Sequence, residues 1–407
     1  MDWEILGLFS LVAFVLGKSA LLLAAQACAV FSTLFSFVAA AAAFRMLGRR
    51  GPTGYPLPPV TILKPLKGED RELYANLASF CVQDYPSFQI LFAVSSPDDP
   101  ALGVIARLRE AFPSCDIEVV VSSHRIGWNP KINNIANAYP YAKHQLLLLS
   151  DSDIRVGPDF LRRAVAPFRD PKVGLASCFY RSSVPSDLWG IMEAHSVNAQ
   201  FLPQALAAGA FGMRFAMGAA ILVRREVFDA TGGFRNLADH LADDFALGAS
   251  VAEAGYRVEF CEAMVESVPD ISSAAALLKH QTRWSRTIRI CNPAGYCGSV
   301  LLHGFSLSTA SLAFFGWDAR LAALMLSLWG VKAWATWSVS RAGGARMPLL
   351  PLLLLPLSEW LAFAAWLSGF RSNEVLWRGQ LYTIHSRGRL VPARGPLDVA
   401  TAATVEP

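Results

Sequence analysis

Residues 19–44 form an apolar run broken only by Gln26 and small polar residues, and no other feature constrains the chain as strongly. The run exceeds the ~20 residues that a helix needs to cross the hydrocarbon core of a bilayer. Arg45, Arg49 and Arg50 follow it at once. Basic residues accumulate on the cytoplasmic side of a membrane segment, so the domain that follows is expected in the cytoplasm. A cleaved signal peptide has a shorter apolar stretch and carries its charges ahead of it, which excludes that reading. Of the 407 residues, 53% are hydrophobic and only 17% charged, against about 25% charged in an ordinary soluble domain. The excess apolar content lies at the two ends of the chain. A net charge of +4, without runs of like charge, excludes a nucleic-acid arm. The seven cysteines (Cys28, Cys81, Cys115, Cys178, Cys261, Cys291, Cys297) include no CxxC pair, and their spacing fits neither a zinc site nor a disulfide framework. They read as reduced thiols.

Residues 51–59 are a Pro/Gly linker. Beyond it, short β-branched runs at 60–63, 89–94, 117–121, 145–149 and 173–179 alternate with polar, helix-like segments at 71–82, 101–112, 131–138 and 159–168. That alternation predicts an α/β domain with a mainly parallel sheet. Ligands of such sheets bind at the carboxyl ends of the strands. After residue 291 the chain turns apolar again at 301–315, 321–339 and 347–367. Three crossings would leave the tail residues Arg371, Arg378, Arg387, Arg389 and Arg394 outside, against the charge rule. Two crossings are therefore expected, with 301–315 interfacial or re-entrant. The division is an N-terminal anchor (1–50), a cytoplasmic α/β domain (51–292), C-terminal membrane segments (293–370) and a basic cytoplasmic tail (371–407).

The chemistry-bearing residues follow the strands. Asp151-Ser152-Asp153 closes the run at 145–149. Two acids one residue apart can turn into one cleft, and Mg²⁺ usually takes only one or two carboxylates plus phosphate oxygens. An Asp-Ser-Asp turn is the competing structural reading. Asp98 and Asp99 follow the run at 89–94, suited to a nucleotide base or ribose, or to capping the next helix. Lys131, in Asn129-Pro130-Lys131-Ile132-Asn133-Asn134, is placed to reach a phosphate. The asparagines there suit either a nucleotide or a helix cap. Asp243-Asp244 precede an apolar helix as simple first-turn acids or as the source of a general base. His280, Arg283, Trp284 and Arg286 share a basic helical stretch, suited to anionic headgroups, to an aromatic platform for an acceptor and to a leaving diphosphate.

A strand-end Asp, then DxD, then a later Asp, then RW is the order seen in inverting glycosyltransferases of the GT-A fold. The local text from about Val60 to Asn292 resembles the ceramide glucosyltransferases, glycosyltransferase family 21. The resemblance implies a GT-A domain with flanking transmembrane helices, a UDP-sugar donor and a divalent metal (Mg²⁺ or Mn²⁺). It also implies transfer with inversion, UDP and metal binding by Asp99 and Asp153, and base catalysis by Asp244. Asp98, Lys131 and Asp151 fall among the donor-binding positions. Arg283 and Trp284 complete the catalytic set, and Asp243, His280 and Arg286 fall on the acceptor side. The acceptor would be a membrane lipid, ceramide or a hopanoid. Two departures point to a bacterial branch that adds N-acetylglucosamine to bacteriohopanetetrol, and so to a bacterial inner membrane. The family's (Gln/Arg)xxArgTrp reads His280-x-x-Arg283-Trp284, and the upstream His-Pro has no clear counterpart, Leu202-Pro203 lying nearby. A polysaccharide synthase would need more membrane spans. A polyprenyl-phosphate sugar synthase would not need Asp244, because its acceptor is already an anion. Residues 187–215, rich in Ala, Phe and Met, are expected to line the acceptor entrance.

Overall fold

Alternating side chains build the central sheet. In Val60–Pro65 (β1) and Leu146–Ser150 (β4), Ile62 and Leu148 point to one face while Leu63, Leu147 and Leu149 point to the other. Successive residues of a strand face opposite sides, and here both sides are covered, so the strands read as continuous apolar runs. The computed structural model describes residues 3–47, 55, 57–345, 347–377 and 380–393. The expected basic residues Arg49, Arg50, Arg378 and Arg394, and most of the 51–59 linker, lie outside the described residues.

The other strands are Phe88–Val94 (β2), Asp116–Val121 (β3), Ile154–Arg155 (β5), Val173–Ser182 (β6), Ala220–Arg224 (β7) and Arg257–Ser267 (β8). They form an eight-stranded sheet of order β3-β2-β1-β4-β7-β6-β8-β5. The β3-β2-β1-β4 half is parallel, β7 is antiparallel to both its neighbours, β6 and β8 are parallel, and β5 pairs antiparallel with β8. The sheet is therefore mainly parallel, as expected.

The helices of the domain are Leu73–Cys81 (α2), Ala101–Ala111 (α3), Pro130–Ala138 (α4), Phe160–Ala164 (α5), Leu188–His195 (α6), Leu202–Ala210 (α7), Arg225–Ala230 (α8), Gly233–Leu237 (α9), Asp243–Glu253 (α10) and Ala274–Cys291 (α11); Trp3–Leu47 (α1) precedes them. One face of the sheet packs on α2, α3 and α5 through Leu77, Phe80, Val104, Ile105 and Leu161. The other packs on α4, α8, α9 and α10 through Ile132, Ile135, Phe228, Phe234 and Leu247. The helix expected over 159–168 is broken into α5 and a 3₁₀ turn, Ala166–Arg169, because Pro167 cannot continue the α ladder.

The C-terminal apolar region folds as Pro293–Gly298 (α12), Gly304–Phe315 (α13), Ala319–Ala342 (α14) and Leu355–Gly369 (α15). Among the described residues, Gly17–Leu47 and Leu350–Gly369 are long and apolar enough to cross a bilayer. A third span arises only if Pro293–Leu302 and Gly304–Phe315, bent by 58°, count as one. The chain is a membrane protein. Such a bend marks a broken span or a re-entrant loop. The segment 321–339, expected to cross, is helical within α14 but falls outside the apolar set: Lys332 stands in its middle and is held by Glu359 of α15. α14 packs against α1.

Within the segment expected as a basic tail, the described residues fold three short strands between 374 and 392. Glu374–Trp377 (β9), Gln380–Ile384 (β10) and Leu390–Pro392 (β11) pair antiparallel in the order β11-β10-β9. Val375, Tyr382, Ile384 and Leu390 bury against Leu241 of the α/β domain. The three strands are 4, 5 and 3 residues long, too short for their alternation to stand out in the sequence.

Candidate active site

The β3–α4, β4–β5 and α9–α10 connections bring their residues to one cluster. At its centre Lys131, near the start of α4, sets its Nζ 2.7 Å from Asp151 Oδ1 and 3.4 Å from Asp243 Oδ2. Asn129 fixes this lysine. Its side chain caps α4 by accepting from the Lys131 and Ile132 N–H groups, and it donates to the His240 carbonyl at 2.7 Å. The two halves of the cluster, 90 or more residues apart in sequence, are thus joined by one cation. Neighbouring carboxylates hold the Lys131 ammonium well above the usual lysine range despite its burial.

Asp153 is half-buried and its Oδ2 accepts from Ser267 Oγ at 2.7 Å. Burial and then the charge of Asp151 push its carboxyl up to about 6. Asp244, also half-buried, accepts from the Gly218 N–H at 2.8 Å on Oδ2 and the Phe245 N–H at 2.8 Å on Oδ1. Burial and adjacent Asp243 raise it to about 6, with Lys131 acting against them. A Cβ at position 218 would stand 3.3 Å from Asp244 Oδ2, so glycine there lets the strand edge come up against the acid. Desolvation with a specific charged neighbour, in two acids of one cleft, is the pattern of a functional site.

Asp99 Oδ1 accepts from the Gly68 and Ala101 N–H groups at 2.9 and 3.0 Å, tying the loop after β1 to that after β2. Asp98 is exposed. Asn133 and Asn134, read in the sequence as nucleotide contacts or caps, are committed to backbone: Asn133 to Ile126 and Gly127, Asn134 to the Leu66 carbonyl.

α11 brings the basic motif alongside. His280 Nδ1 lies 3.1 Å from Glu193 Oε1 of α6, and its ring meets Trp284 edge-on at 4.8 Å. Trp284 in turn packs on Phe201, and Phe201 on Tyr180. Arg283 is half-buried beside Trp284. Arg286 donates to the Glu374 carbonyl and ties α11 to the C-terminal sheet. That sheet also pins the loop before Asp243: Leu241 N–H donates to the Gly388 carbonyl at 2.9 Å, and Leu390 N–H to that of Asp239 at 2.6 Å.

Three contributors were not singled out from the sequence. Lys64 is fully buried at the end of β1 and donates to Ser150 Oγ and the Asp151 carbonyl, its ammonium pushed down to about 7 by burial. A basic residue in an apolar strand was its only signal. Glu193 and Gly218 gave none beyond residue type.

Among the described residues no group of three or more His, Cys, Asp or Glu converges as a metal set. Asp153, whose charge is disfavoured, with Asp151 two residues before it, still fits a Mg²⁺-type ion, which draws its remaining oxygens from phosphate and water.

The family model for glycosyl transferase family 21 matches residues 21–390. Ceramide glucosyltransferase 3 of Caenorhabditis elegans is 25% identical over 83% of this chain and 75% of its own. Ceramide glucosyltransferase of Komagataella phaffii is 39% identical over a shorter stretch, 27% of this chain and 23% of its own. A solved mannosyltransferase of Pyrobaculum calidifontis, in complex with GDP-Man and Mn²⁺, aligns over 85% of this chain and 97% of its own with 19% identity and a TM-score of 0.46. On the family match across nearly its whole length, the chain belongs to glycosyl transferase family 21.

Proposed function

We propose that the protein transfers one sugar from a UDP-sugar to a lipid hydroxyl at the membrane surface, with inversion, and that UDP-glucose and ceramide are the pair. The observation that carries the reading is the Lys131 bridge between Asp151 and Asp243, which joins a donor-side acid to the acids of α10. The donor's base and ribose are assigned to the loop carrying Asp98 and Asp99, and its diphosphate to Lys131 and Arg283. Asp153, with Asp151 beside it, would hold a Mg²⁺ or Mn²⁺ ion whose charge offsets that of the leaving diphosphate. Asp244 takes the proton of the acceptor hydroxyl. The hydroxyl oxygen attacks the anomeric carbon, the bond to the phosphate oxygen breaks, and UDP departs with the electron pair. One displacement turns an α-linked donor into a β-glycoside, and Trp284 provides the face against which the acceptor is placed. The domain is assigned to the cytoplasm, where UDP-sugars are made, in a bacterial inner membrane.

His280 in place of Gln or Arg supports a second reading, N-acetylglucosamine transfer to bacteriohopanetetrol, because the imidazole is engaged by Glu193 rather than offered to the diphosphate.

The pH dependence tests the base. Asp244 accepts a proton only when ionised, and its carboxyl is raised to about 6. At saturating donor and metal, kcat is expected to fall about tenfold per pH unit below 6 and to be flat between about 7 and 8. A kcat level down to pH 4.5 would exclude Asp244 as the base.

A further inference from the structure

The first turn of α10, which carries Asp243 and Asp244, has no cap of its own. Ala242 stands at the cap position and its side chain cannot accept a hydrogen bond. Capping side chains normally fix the first turn of a helix. Here the loop ahead of that turn is held by other parts of the chain. From the α4 side, Asn129 donates to the His240 carbonyl and the Trp128 N–H to Asp239 Oδ1 at 3.0 Å. From the C-terminal sheet, residues 388–390 pair antiparallel with 239–241. His240 stands opposite Arg389, Leu241 N–H donates to the Gly388 carbonyl at 2.9 Å, and Leu390 N–H donates to the Asp239 carbonyl at 2.6 Å. Leu390, 1% exposed, shares an apolar cluster with Leu241. Gly388 lies close against the loop. A Cβ there would stand 3.3 Å from both the Ala242 Cβ and the Cys291 Sγ, and its φ of +80° is one that side chains disfavour.

The same sheet reaches the other two elements that carry site residues. Tyr382 meets Trp128, just before Lys131, with ring centroids 6.4 Å apart. On α11, which carries Arg283 and Trp284, Arg286 donates to the Glu374 carbonyl at the start of the sheet. Three short strands therefore touch the Lys131 loop, the Asp244 loop and the Arg283-Trp284 helix together.

We propose that the C-terminal sheet is a clamp that positions the base: Gly388 and Leu390 hold residues 239–242, and with them Asp244, where its carboxylate reaches the acceptor hydroxyl. The inference rests on the reading of Asp244 as the base. Both are positioning residues, acting through the loop rather than on the substrate. A general base works only within hydrogen-bond reach of its proton, and a displacement of about 1 Å can cost about 10²-fold in rate. Lys131 keeps its place when the loop moves, because Asn129 caps α4 beside it and Asp151 holds its ammonium. The clamp therefore governs kcat and leaves donor binding alone.

The test compares Gly388→Ala with Gly255→Ala in the full chain in mixed micelles. The assay uses UDP-glucose with ceramide, or UDP-N-acetylglucosamine with bacteriohopanetetrol, whichever pair the wild type turns over. Gly255 follows the far end of α10 with φ +85° and no atom within 4 Å of an added Cβ, so alanine brings the same backbone strain there without pushing on the base loop. Gly388→Ala is expected to lower kcat about 10- to 100-fold with the UDP-sugar Kd within about twofold of wild type, and Gly255→Ala to leave both within about twofold. Leu390→Ala keeps Gly388 and trims the packing on Leu241, and the same split is expected of it should Gly388→Ala fail to fold. A kcat no lower in these variants than in Gly255→Ala overturns the clamp. So does an equal loss of kcat and donor affinity, the mark of a general loss of structure. Asp244→Asn, assayed alongside, separates the clamp from the base. An inactive Asp244→Asn beside a fully active Gly388→Ala keeps the base and overturns the clamp. An active Asp244→Asn beside a slow Gly388→Ala overturns the base, keeps the clamp and moves the positioned group to Asp243.

Discussion

Asp244→Asn binds the UDP-sugar as the wild type does and loses transfer by about 10²- to 10⁴-fold, the usual cost of removing a general base. The substitution is close to isosteric, and its amide oxygen keeps one of the two backbone donors, Gly218 N–H or Phe245 N–H, while the other loses its acceptor. What is lost is the site for a proton. Lys131 is unaffected in position because it is anchored by Asp151 and Asp243, which remain. Isothermal titration gives the donor Kd and a single-turnover assay gives the rate. Near-normal turnover would move the base elsewhere, Asp243 being the nearest acid. It would equally suit an acceptor that is already an anion, such as a polyprenyl phosphate.

Asp153→Ala is expected to remove metal-dependent donor binding. Loss of residues that merely orient a metal ligand costs about 10- to 100-fold in affinity, so loss of the ligand should cost at least about 100-fold. Asp153 is also where a cation gains most, since its charge is disfavoured by burial and by Asp151. The fold should tolerate the change: the side chain accepts from the Ser267 hydroxyl, and the neighbouring Val268 N–H is held by the Asp153 carbonyl instead. Donor titrations with and without Mn²⁺ separate the two contributions. Metal-dependent binding retained in the variant contradicts the assignment of Asp153 to the metal.

The sheet and the acids at its strand ends were legible because both depend on local pattern. An apolar run followed by Asp-Ser-Asp places the acids at a carboxyl edge whatever the rest of the chain does. What was not legible depends on partners distant in sequence. Glu193 and His280 meet across 87 residues, and Lys332 in α14 reads as a flaw in a span until Glu359 appears beside it. The C-terminal sheet is hidden for the same reason: its strands are short, and only docking on Leu241 shows which positions face inward. Asn133 and Asn134 show the converse. Their residue types suited a nucleotide, but the turn from Ile126 to Lys131 and the carbonyl of Leu66 claim them first.

The most direct test offers the purified chain UDP-glucose or UDP-N-acetylglucosamine with ceramide or bacteriohopanetetrol in mixed micelles, with and without Mg²⁺, and reads the lipids by mass spectrometry. The account predicts a metal-dependent glycolipid carrying a single sugar, hexosylceramide on the preferred reading, while an N-acetylglucosaminyl hopanoid would keep the chemistry and change the acceptor. A polymer, a phosphate-linked sugar, or no glycolipid from any of the four pairs would contradict it.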